Sequence, residues 1–286
     1  MKDILSLILD DLRALKRDGV ESVSVDDRTL SALKTTLETL SHGVETASVP
    51  EQKESAGTPV LRERPTSQSK ELERRVPVLP PVKNMEELQA AVKADALFCK
   101  HAQAGKAWVL GRGNVPAKIF FCGDMPSVAD ERNKEVFSDE SGKLLDKIVA
   151  AMGLAAEDVY YSNLHKWRTE MSQFLRRPGL EQTTGIYCEP FLKAELSIVQ
   201  PRLIVSLGLS PARFFSGNRE AKLSDFRGKM FEYCGVKVLA AFHPSYLIRD
   251  TNKQTRRVFW EDMLCAMKYL GMEISEKQQA YFLPKN

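Results

Sequence analysis

Between residues 118 and 270 the chain alternates short apolar runs with amphipathic stretches, and this alternation constrains its fold more than any other feature. The apolar runs have the length and composition of β-strands and lie at 118–123, 158–162, 202–207 and 236–241. The amphipathic stretches have helical spacing and lie near 141–152, 189–199, 210–216 and 254–270. Strands that alternate with helices form parallel sheets covered on both faces. We therefore predict an α/β fold, a three-layer α/β/α sandwich with a central four-stranded parallel sheet.

The rest of the chain divides into segments of different character. Two amphipathic stripes of leucine and isoleucine in residues 1–41 predict a small helical segment. Residues 42–83 hold six of the 14 prolines, together with many serines and charged residues, and predict a flexible linker. The α/β domain would then span 84–272, opening with a helix near 85–97, and residues 273–286 would form a C-terminal tail.

Composition narrows the class of protein. The 286 residues carry a formal net charge of +3, which neither requires nor excludes a nucleic-acid partner. The longest apolar runs are far shorter than the roughly 20 residues of a membrane-spanning helix. Acidic residues interrupt the apolar N-terminus, unlike the core of a secretory signal. Five cysteines, none in a C-x-x-C pair, argue against a disulfide scaffold. We expect a cytoplasmic monomer that does not associate with membranes.

Ligands of parallel sheets bind at the carboxyl ends of the strands, and three of these ends carry motifs. The first strand runs into GDMPSVADERNKEVFSDESGKLLD, residues 123–146. The second ends in NLHKWR, residues 163–168, and the fourth is followed by HPSYLIR, residues 243–249. In order and spacing these motifs resemble those of the family 4 uracil-DNA glycosylases over about residues 90–272. The matching residues are Gly123, Pro126, Phe137, Gly142, Leu144, Leu145, Asn163, Lys166, Arg168, His243, Pro244, Ser245, Leu247 and Arg249.

The resemblance implies a monofunctional uracil-DNA glycosylase of base excision repair, which flips uracil out of DNA and hydrolyses its N-glycosidic bond to leave an abasic site. The predicted partner is DNA that contains uracil. Such chemistry needs donors on the departing base and negative charge near the sugar. A neutral His243 would donate to uracil O2, and the Asn163 amide would match O4 and N3–H and reject cytosine. Asp124 would hold the water or stabilise the sugar.

The resemblance also implies the remainder of the base-binding site. The predicted uracil-binding residues are Gly123, Met125, Asp130, Phe137, Asn163 and His243. Phe137 would stack on the base, and Asp130 would crowd the uracil C5 edge and exclude the thymine methyl group. The residues alone leave other interpretations open. Phe137 and His243 are also compatible with core positions, Asn163 with a turn cap, and Asp130 with a surface charge.

Contacts with DNA are predicted around the same strand ends. The candidates for an apolar wedge that offsets the cost of unstacking the base are Tyr246, Leu247 and Ile248. The candidates for phosphate contacts are Ser127 through its backbone, Lys166, Arg168, Ser245 and Arg249. The alternative for the charged residues is a solvated surface.

The sequence departs from the family where a [4Fe–4S] cluster is usually bound by four cysteines. Cys99 and Cys188 stand at the first and fourth ligand positions, whereas Ala102 and Trp167 replace the second and third. Alanine and tryptophan supply no thiolate. We therefore predict a protein without metal or cofactor, in which Trp167 fills the vacated volume with apolar area.

Further departures lie in the first motif and leave other functions open. Asp124 stands where the family has glutamate, Met125 replaces a small residue, and Ser127 replaces a glycine. Because catalytic groups tolerate displacements of only about 0.5 Å, a catalytically silent uracil- or DNA-binding relative is the alternative hypothesis. Covalent trapping on uracil-DNA, known in a relative with a histidine-bearing loop near the third motif, is disfavoured because residues 249–257 contain no histidine.

Overall fold

The computed structural model describes residues 77–103, 106–168 and 180–283, with the backbone alone for residues 101, 103 and 180–186. The predicted helical segment 1–41 and the predicted linker as far as residue 76 lie outside the described residues.

Helices and strands alternate along the described chain. The helices are α1 (Met85–Ala94), α2 (Ala96–Gln103), α3 (Val128–Asn133), α4 (Glu140–Met152), α5 (Leu180–Val199), α6 (Leu209–Ser216), α7 (Leu223–Phe226), α8 (Pro244–Arg249), α9 (Lys253–Tyr269) and α10 (Glu276–Gln279). The strands are β1 (Arg112–Gly113), β2 (Ile119–Gly123), β3 (Val159–Asn163), β4 (Leu203–Leu207), β5 (Met230–Tyr233) and β6 (Val236–Ala241). The four predicted strands, now β2, β3, β4 and β6, agree with the structure to within one residue at each end. Among the described helices, none has the length and apolar character needed to cross a membrane.

The strands form one six-stranded sheet in the order β1–β3–β2–β4–β6–β5. The four inner strands are parallel, as predicted, and the outer strands β1 and β5 run antiparallel to their neighbours. The outer strands were not predicted. β1 has only two residues, and the turn from β5 to β6 contains Cys234 and Gly235 with φ angles of 49° and 80°. Cysteine is not a residue that marks left-handed hairpin turns, so this hairpin had a weak sequence signal.

The inner strands β2, β3 and β4 are buried on both faces, because consecutive side chains point to opposite helical layers. In β2, Phe121 joins a core that includes residues of α4 and α9, whereas Phe120 joins a core that includes residues of α5. Val205 and Ile204 of β4 divide in the same way. This division confirms the three-layer α/β/α fold.

On both sides of the predicted domain, the neighbouring chain packs onto it. Leu79 and Val82, at the end of the predicted linker, pack in one apolar cluster with residues of α1. Beyond residue 272, helix α10 docks on α9, where Trp260 Nε1 donates a hydrogen bond to the carbonyl of Gln278 at 2.6 Å. The side chain of Gln278 also donates to the carbonyl of Ala151 in α4 at 2.9 Å. The predicted tail is therefore held against the domain at these positions.

Candidate active site at the carboxyl ends of the parallel strands

The ends of β2 and β3 bring a polar amide and an aromatic ring together. Gly123 pairs with Asn163 in the sheet register. A Cβ atom on Gly123 would overlap Oδ1 of Asn163 and lie 2.9 Å from the ring of Phe137, so only glycine allows this close approach. Asn163 is 2% exposed, and its side-chain amide makes no hydrogen bond with the described residues. A buried amide in that state is suited to a ligand that supplies a matching donor and acceptor.

Phe137 is held in an unusual backbone conformation. Its φ angle is 53°, in the left-handed region that non-glycine residues rarely adopt. Gly142 of α4 accommodates this turn, because a Cβ atom there would overlap the carbonyl oxygen of Phe137. From β1, Arg112 donates hydrogen bonds to the carbonyls of Val136 at 2.8 Å and of Phe137 at 3.4 Å. The spacing of Phe137 and Gly142 in the motif thus has a steric cause.

His243 follows β6 and lies over Phe137. The ring centroids are 5.9 Å apart and the ring planes differ by 23°. Nδ1 of His243 accepts a hydrogen bond from the backbone N–H of Ser245 at 3.1 Å, so the proton of the neutral ring is on Nε2. Burial lowers the pKa of His243 to about 4. The ring is therefore neutral near pH 7 and presents an Nε2–H donor.

Asp124 follows Gly123 at the end of β2, and its carboxylate is approached from two other strand ends. Its Oδ1 accepts a hydrogen bond at 2.7 Å from the hydroxyl of Ser210, which lies in α6 directly after β4. Nε2 of His165, which follows β3, lies 3.5 Å from the same oxygen. Burial raises the pKa of Asp124, and the hydrogen bond from Ser210 offsets part of that rise. The side chain is still 37% exposed, so water can reach it.

We call the group Gly123, Asp124, Phe137, Asn163 and His243 the strand-end site. It combines a stacking surface, an amide with no hydrogen-bond partner among the described residues, a neutral imidazole donor and a carboxylate. Such a set can recognise a planar heterocycle by its edge and stabilise negative charge that develops on it. The predicted catalytic residues thus lie at the carboxyl ends of β2, β3 and β6, on the same edge of the parallel sheet.

The structure corrects the surface-charge interpretation of Asp130. This side chain is 4% exposed, and its Oδ1 accepts hydrogen bonds from the N–H and the hydroxyl of Ser138 at 2.7 and 2.9 Å. Its Oδ2 accepts from the N–H of Ser127 at 2.9 Å, in the capping box that begins α3. The backbone N–H of Ser127 is therefore already used, which contradicts its predicted role as a phosphate anchor. The proposed exclusion of thymine by Asp130 stays a prediction.

Two other predicted DNA contacts are also corrected. Lys166 is fully buried and forms an ion pair with Glu195, so it cannot meet a phosphate. Leu247 is 4% exposed and belongs to the core beneath α8, so it cannot act as a wedge. The hydroxyl of Ser245 lies 2.8 Å from Nδ1 of His243, and its predicted contact with phosphate stays a prediction.

The remaining predicted contacts have the exposure that their roles require. Ile248, next to the buried leucine of α8, is 44% exposed, which suits an apolar wedge. Arg249 is exposed, and Tyr246, Arg168 and Met125 are partly exposed. Their roles toward DNA or base stay predictions.

An aromatic cluster occupies the region where the resembling family holds its metal cluster. We call the group Phe98, Trp108, Trp167, Tyr187 and Phe191 the aromatic cluster. The Trp167 ring is 4.9 Å from that of Trp108 and 6.0 Å from that of Tyr187, between centroids, and Trp167 is 4% exposed. Trp167 therefore fills space among apolar side chains from α1, α2 and α5.

The residues present do not fit a [4Fe–4S] cluster. Of the two cysteines at ligand positions, Cys188 is fully buried beside these rings, and burial raises the pKa of its thiol to about 12. Cys99 is exposed. The other two positions, Ala102 and Trp167, offer no thiolate. Within the described residues, no group of three or more histidine, cysteine, aspartate or glutamate side chains could hold a metal ion.

Three residues that support the strand-end site were not predicted. Ser210 lies in the first turn of α6, in the segment after β4 that the strand-end rule singles out without naming a residue. Arg112 lies on an edge strand that the apolar pattern does not reveal, and Glu195 lies within a helix. For the last two, the sequence alone carried no usable signal.

Comparisons with known proteins agree with this geometry. The profile of the "Uracil DNA glycosylase superfamily" matches residues 110–264. A "Type-4 uracil-DNA glycosylase" of Thermotoga maritima is 32% identical over 166 residues, which are 58% of this chain and 84% of that protein. A protein of the same name from Archaeoglobus fulgidus is 30% identical over 208 residues, 69% of this chain and 98% of that protein. The matched region contains the strand-end site and all four parallel strands, and the chain thus belongs to the uracil-DNA glycosylase superfamily.

Proposed function

We propose that this protein is a monofunctional uracil-DNA glycosylase of base excision repair, which flips uracil out of DNA and hydrolyses its N-glycosidic bond. One observation carries the proposal: a neutral His243 with its proton on Nε2 and a buried Asn163 amide, which has no partner within the described ranges, both lie against Phe137. The names of the relatives in Thermotoga maritima and Archaeoglobus fulgidus support the same activity.

Recognition of uracil would depend on Asn163 and Phe137. The amide can accept from N3–H and donate to O4, and cytosine presents the inverted pattern. Mismatch would leave buried polar groups unpaired, which is why such a site discriminates strongly. Phe137 is 5% exposed and faces the His243 ring, so we expect this ring to shift when a base stacks on Phe137.

Bond cleavage would depend on His243 and Asp124. As the base leaves, negative charge develops on it, and the Nε2–H of His243 is suited to donate to O2. The carboxylate of Asp124 would stabilise the cationic sugar and orient water, with Ser210 fixing its position. The product would be an abasic site rather than a cut strand, since Lys166 is buried in an ion pair and unsuited to attack the sugar.

Binding to DNA would place α8 against the DNA duplex. Ile248 is the exposed apolar side chain that can enter the space of the flipped base, and Arg249 beside it can meet phosphate. We further propose that the protein acts as a monomer in the cytoplasm, with no [4Fe–4S] cluster.

The test is excision from a single-stranded oligonucleotide that contains one uracil, followed by alkali cleavage of the abasic product. Wild-type protein should release uracil, and His243→Ala and Asn163→Ala should each slow release by about 10²-fold or more, because each removes a group that acts on the base. Asn114→Ala, which truncates an exposed asparagine after β1, is the matched control and should match wild type. Asn163→Asp should shift preference toward cytosine.

The result also separates this proposal from the alternative of a catalytically silent relative. Wild-type protein that binds the uracil oligonucleotide more tightly than its thymine counterpart, but never cleaves it, would establish the silent binder. Excision that persists in both His243→Ala and Asn163→Ala would show that the reaction does not use the strand-end site.

A further inference from the structure

A buried ion pair lies directly behind the strand-end site. Lys166 is fully buried, and its three ammonium donors are all used. Nζ donates to the hydroxyl of Ser162 and to the main-chain carbonyl of Asn163, both at 2.8 Å, and contacts the carboxylate of Glu195. The side chain of Lys166 thus folds back under the end of β3, since Asn163, the last residue of that strand, precedes the lysine by three residues.

Glu195 links this lysine to two other parts of the sheet. It lies on α5 and is fully buried. Its Oε2 accepts from the hydroxyl of Ser162 at 2.8 Å, and its Oε1 accepts from the N–H of Gly111 at 2.8 Å, directly before β1. The hydroxyl of Tyr160 lies 3.4 Å from the same Oε1. The pair therefore ties the end of β3 to a helix on one face and to the edge of the sheet.

We propose that the Lys166–Glu195 pair consists of positioning residues that set the orientation of the Asn163 amide for reading the base. This inference rests on the proposed function, which it deepens. The carbonyl that Lys166 holds belongs to the residue whose side chain would contact uracil, so the ammonium fixes the peptide plane from which that side chain leaves the strand. A displacement of 1 Å at such a group can cost about 10²-fold in rate.

Stability alone is a poor explanation for this pair. Replacement of a buried ion pair by uncharged residues of similar volume is often neutral, whereas removal of one partner is strongly destabilising. Residues of β2, β3 and α5 beside the pair form an apolar cluster that could pack against such residues. What an apolar pair could not supply is a donor at the carbonyl of Asn163.

The experiment compares Lys166→Met with the double variant Lys166→Met/Glu195→Gln. The single variant leaves a buried carboxylate unpaired and should melt well below wild type, while the double variant should recover most of that loss. Glutamine keeps an acceptor for the N–H of Gly111. If the pair positions Asn163, both variants should excise uracil about 10- to 100-fold more slowly than wild type in single-turnover assays with saturating enzyme.

A second readout distinguishes positioning from general damage. 5-Fluorouracil leaves more readily than uracil and needs less help from hydrogen-bond donors, so its release should fall less than that of uracil in both variants. A fold that is merely loosened would slow both bases alike. Lys193→Met, which breaks a half-exposed ion pair with Glu189 on the same helix, is the matched control and should match wild type.

The outcomes separate this inference from the proposed function. Two outcomes would overturn the positioning role while leaving the glycosylase activity established. In the first, wild-type protein excises uracil and the double variant is equally active. In the second, the variants lose the same factor in the excision rates of uracil and 5-fluorouracil. Should wild-type protein bind but not cleave, the proposed function fails. The inference is then judged by the preference of binding for uracil over cytosine oligonucleotide, which Lys166→Met/Glu195→Gln should reduce and Lys193→Met should not.

Discussion

The strand-end site and the aromatic cluster share one short segment of chain and are built in opposite ways. Asn163 begins this segment at the strand-end site, and Trp167 ends it in the aromatic cluster. The first region keeps a buried amide that meets no partner in the described part of the chain, a strained Phe137 and a carboxylate that water can reach. The second consists of closely packed aromatic rings.

The difference between the two regions reflects two tasks, recognition of a base in the strand-end site and stabilisation of the fold in the aromatic cluster. Groups that read a base must stay unsatisfied until the base arrives, and they are held in place by neighbours such as Gly142 and Lys166. Apolar rings have no such requirement and stabilise the fold by excluding water. The motifs of the glycosylase family are kept in the first region, whereas two of its four cluster ligands are replaced in the second. The residues of the proposed base-reading site are therefore kept in a chain that has replaced two of the cluster ligands.

The largest effect on the free energy of unfolding is expected in the aromatic cluster, and it should leave the excision rate unchanged. Trp167→Ala should lower the free energy of unfolding by about 3–5 kcal/mol, because it opens a cavity among buried rings. Excision by the folded fraction should stay at the wild-type rate. Urea unfolding and single-turnover excision on the same sample check both points. Phe98→Ala, at the partly exposed edge of the cluster, should cost less, and a loss of excision in folded Trp167→Ala would break the separation.

A smaller stability effect with a large functional one is expected at Gly142. Gly142→Ala places a Cβ atom against the carbonyl of Phe137, so the turn must move, at a cost of about 1–3 kcal/mol. Displacement of the stacking ring should slow uracil excision about tenfold or more. Gly153→Ala is the matched control, because it sits at φ 83° with open space around it and should cost stability alone. Equal excision by the two variants would argue against the role of Phe137.

The two regions should also differ in their response to pH. The pKa of His243 is about 4 in the folded protein and near 6.5 in the unfolded chain, so the unfolded state binds more protons between these values. The stabilisation is complete above pH 6.5 and is lost as pH falls toward 4, by about 3 kcal/mol. Urea unfolding across this range should show the loss in wild type and in Trp167→Phe, and His243→Ala should lack it. An unchanged slope in His243→Ala would contradict the neutral imidazole.

The smallest effect should come from Ser210. Ser210→Ala removes a hydrogen bond that lowers the pKa of Asp124, so that pKa should rise further. The acid limb of the excision rate should then move to higher pH, and the rate at neutral pH should fall about threefold, since water can replace the hydroxyl. Ser216→Ala, on the same helix, is the control for the pH–rate profile. A pH–rate profile that Ser210→Ala leaves unchanged would show that Ser210 has no role in the site.

The fold was largely predictable because its signals are local and periodic. Each signal is contained in one short stretch of sequence. Strands β2 and β4 are runs of buried residues, and helices α4 and α9 have amphipathic spacing. The edge strands β1 and β5 lacked such signals, because a two-residue strand has no period and a half-buried edge strand has a weak one. Docking of α10 on Trp260 depends on contacts between segments that are distant in sequence, so the apolar periodicity could not predict it either.

For the site, sequence alone determined which residues stand at the strand ends and that two of four cluster ligands are replaced. Only the tertiary structure decided what each side chain meets. It buried Lys166 and Leu247, which sequence assigned to DNA, and brought Ser210 to Asp124 and the Ser245 N–H to His243. The physical reason is that burial, tautomer and pKa depend on atoms brought together by folding. A motif specifies residue type and spacing, and it does not specify the neighbours supplied by other strands and helices.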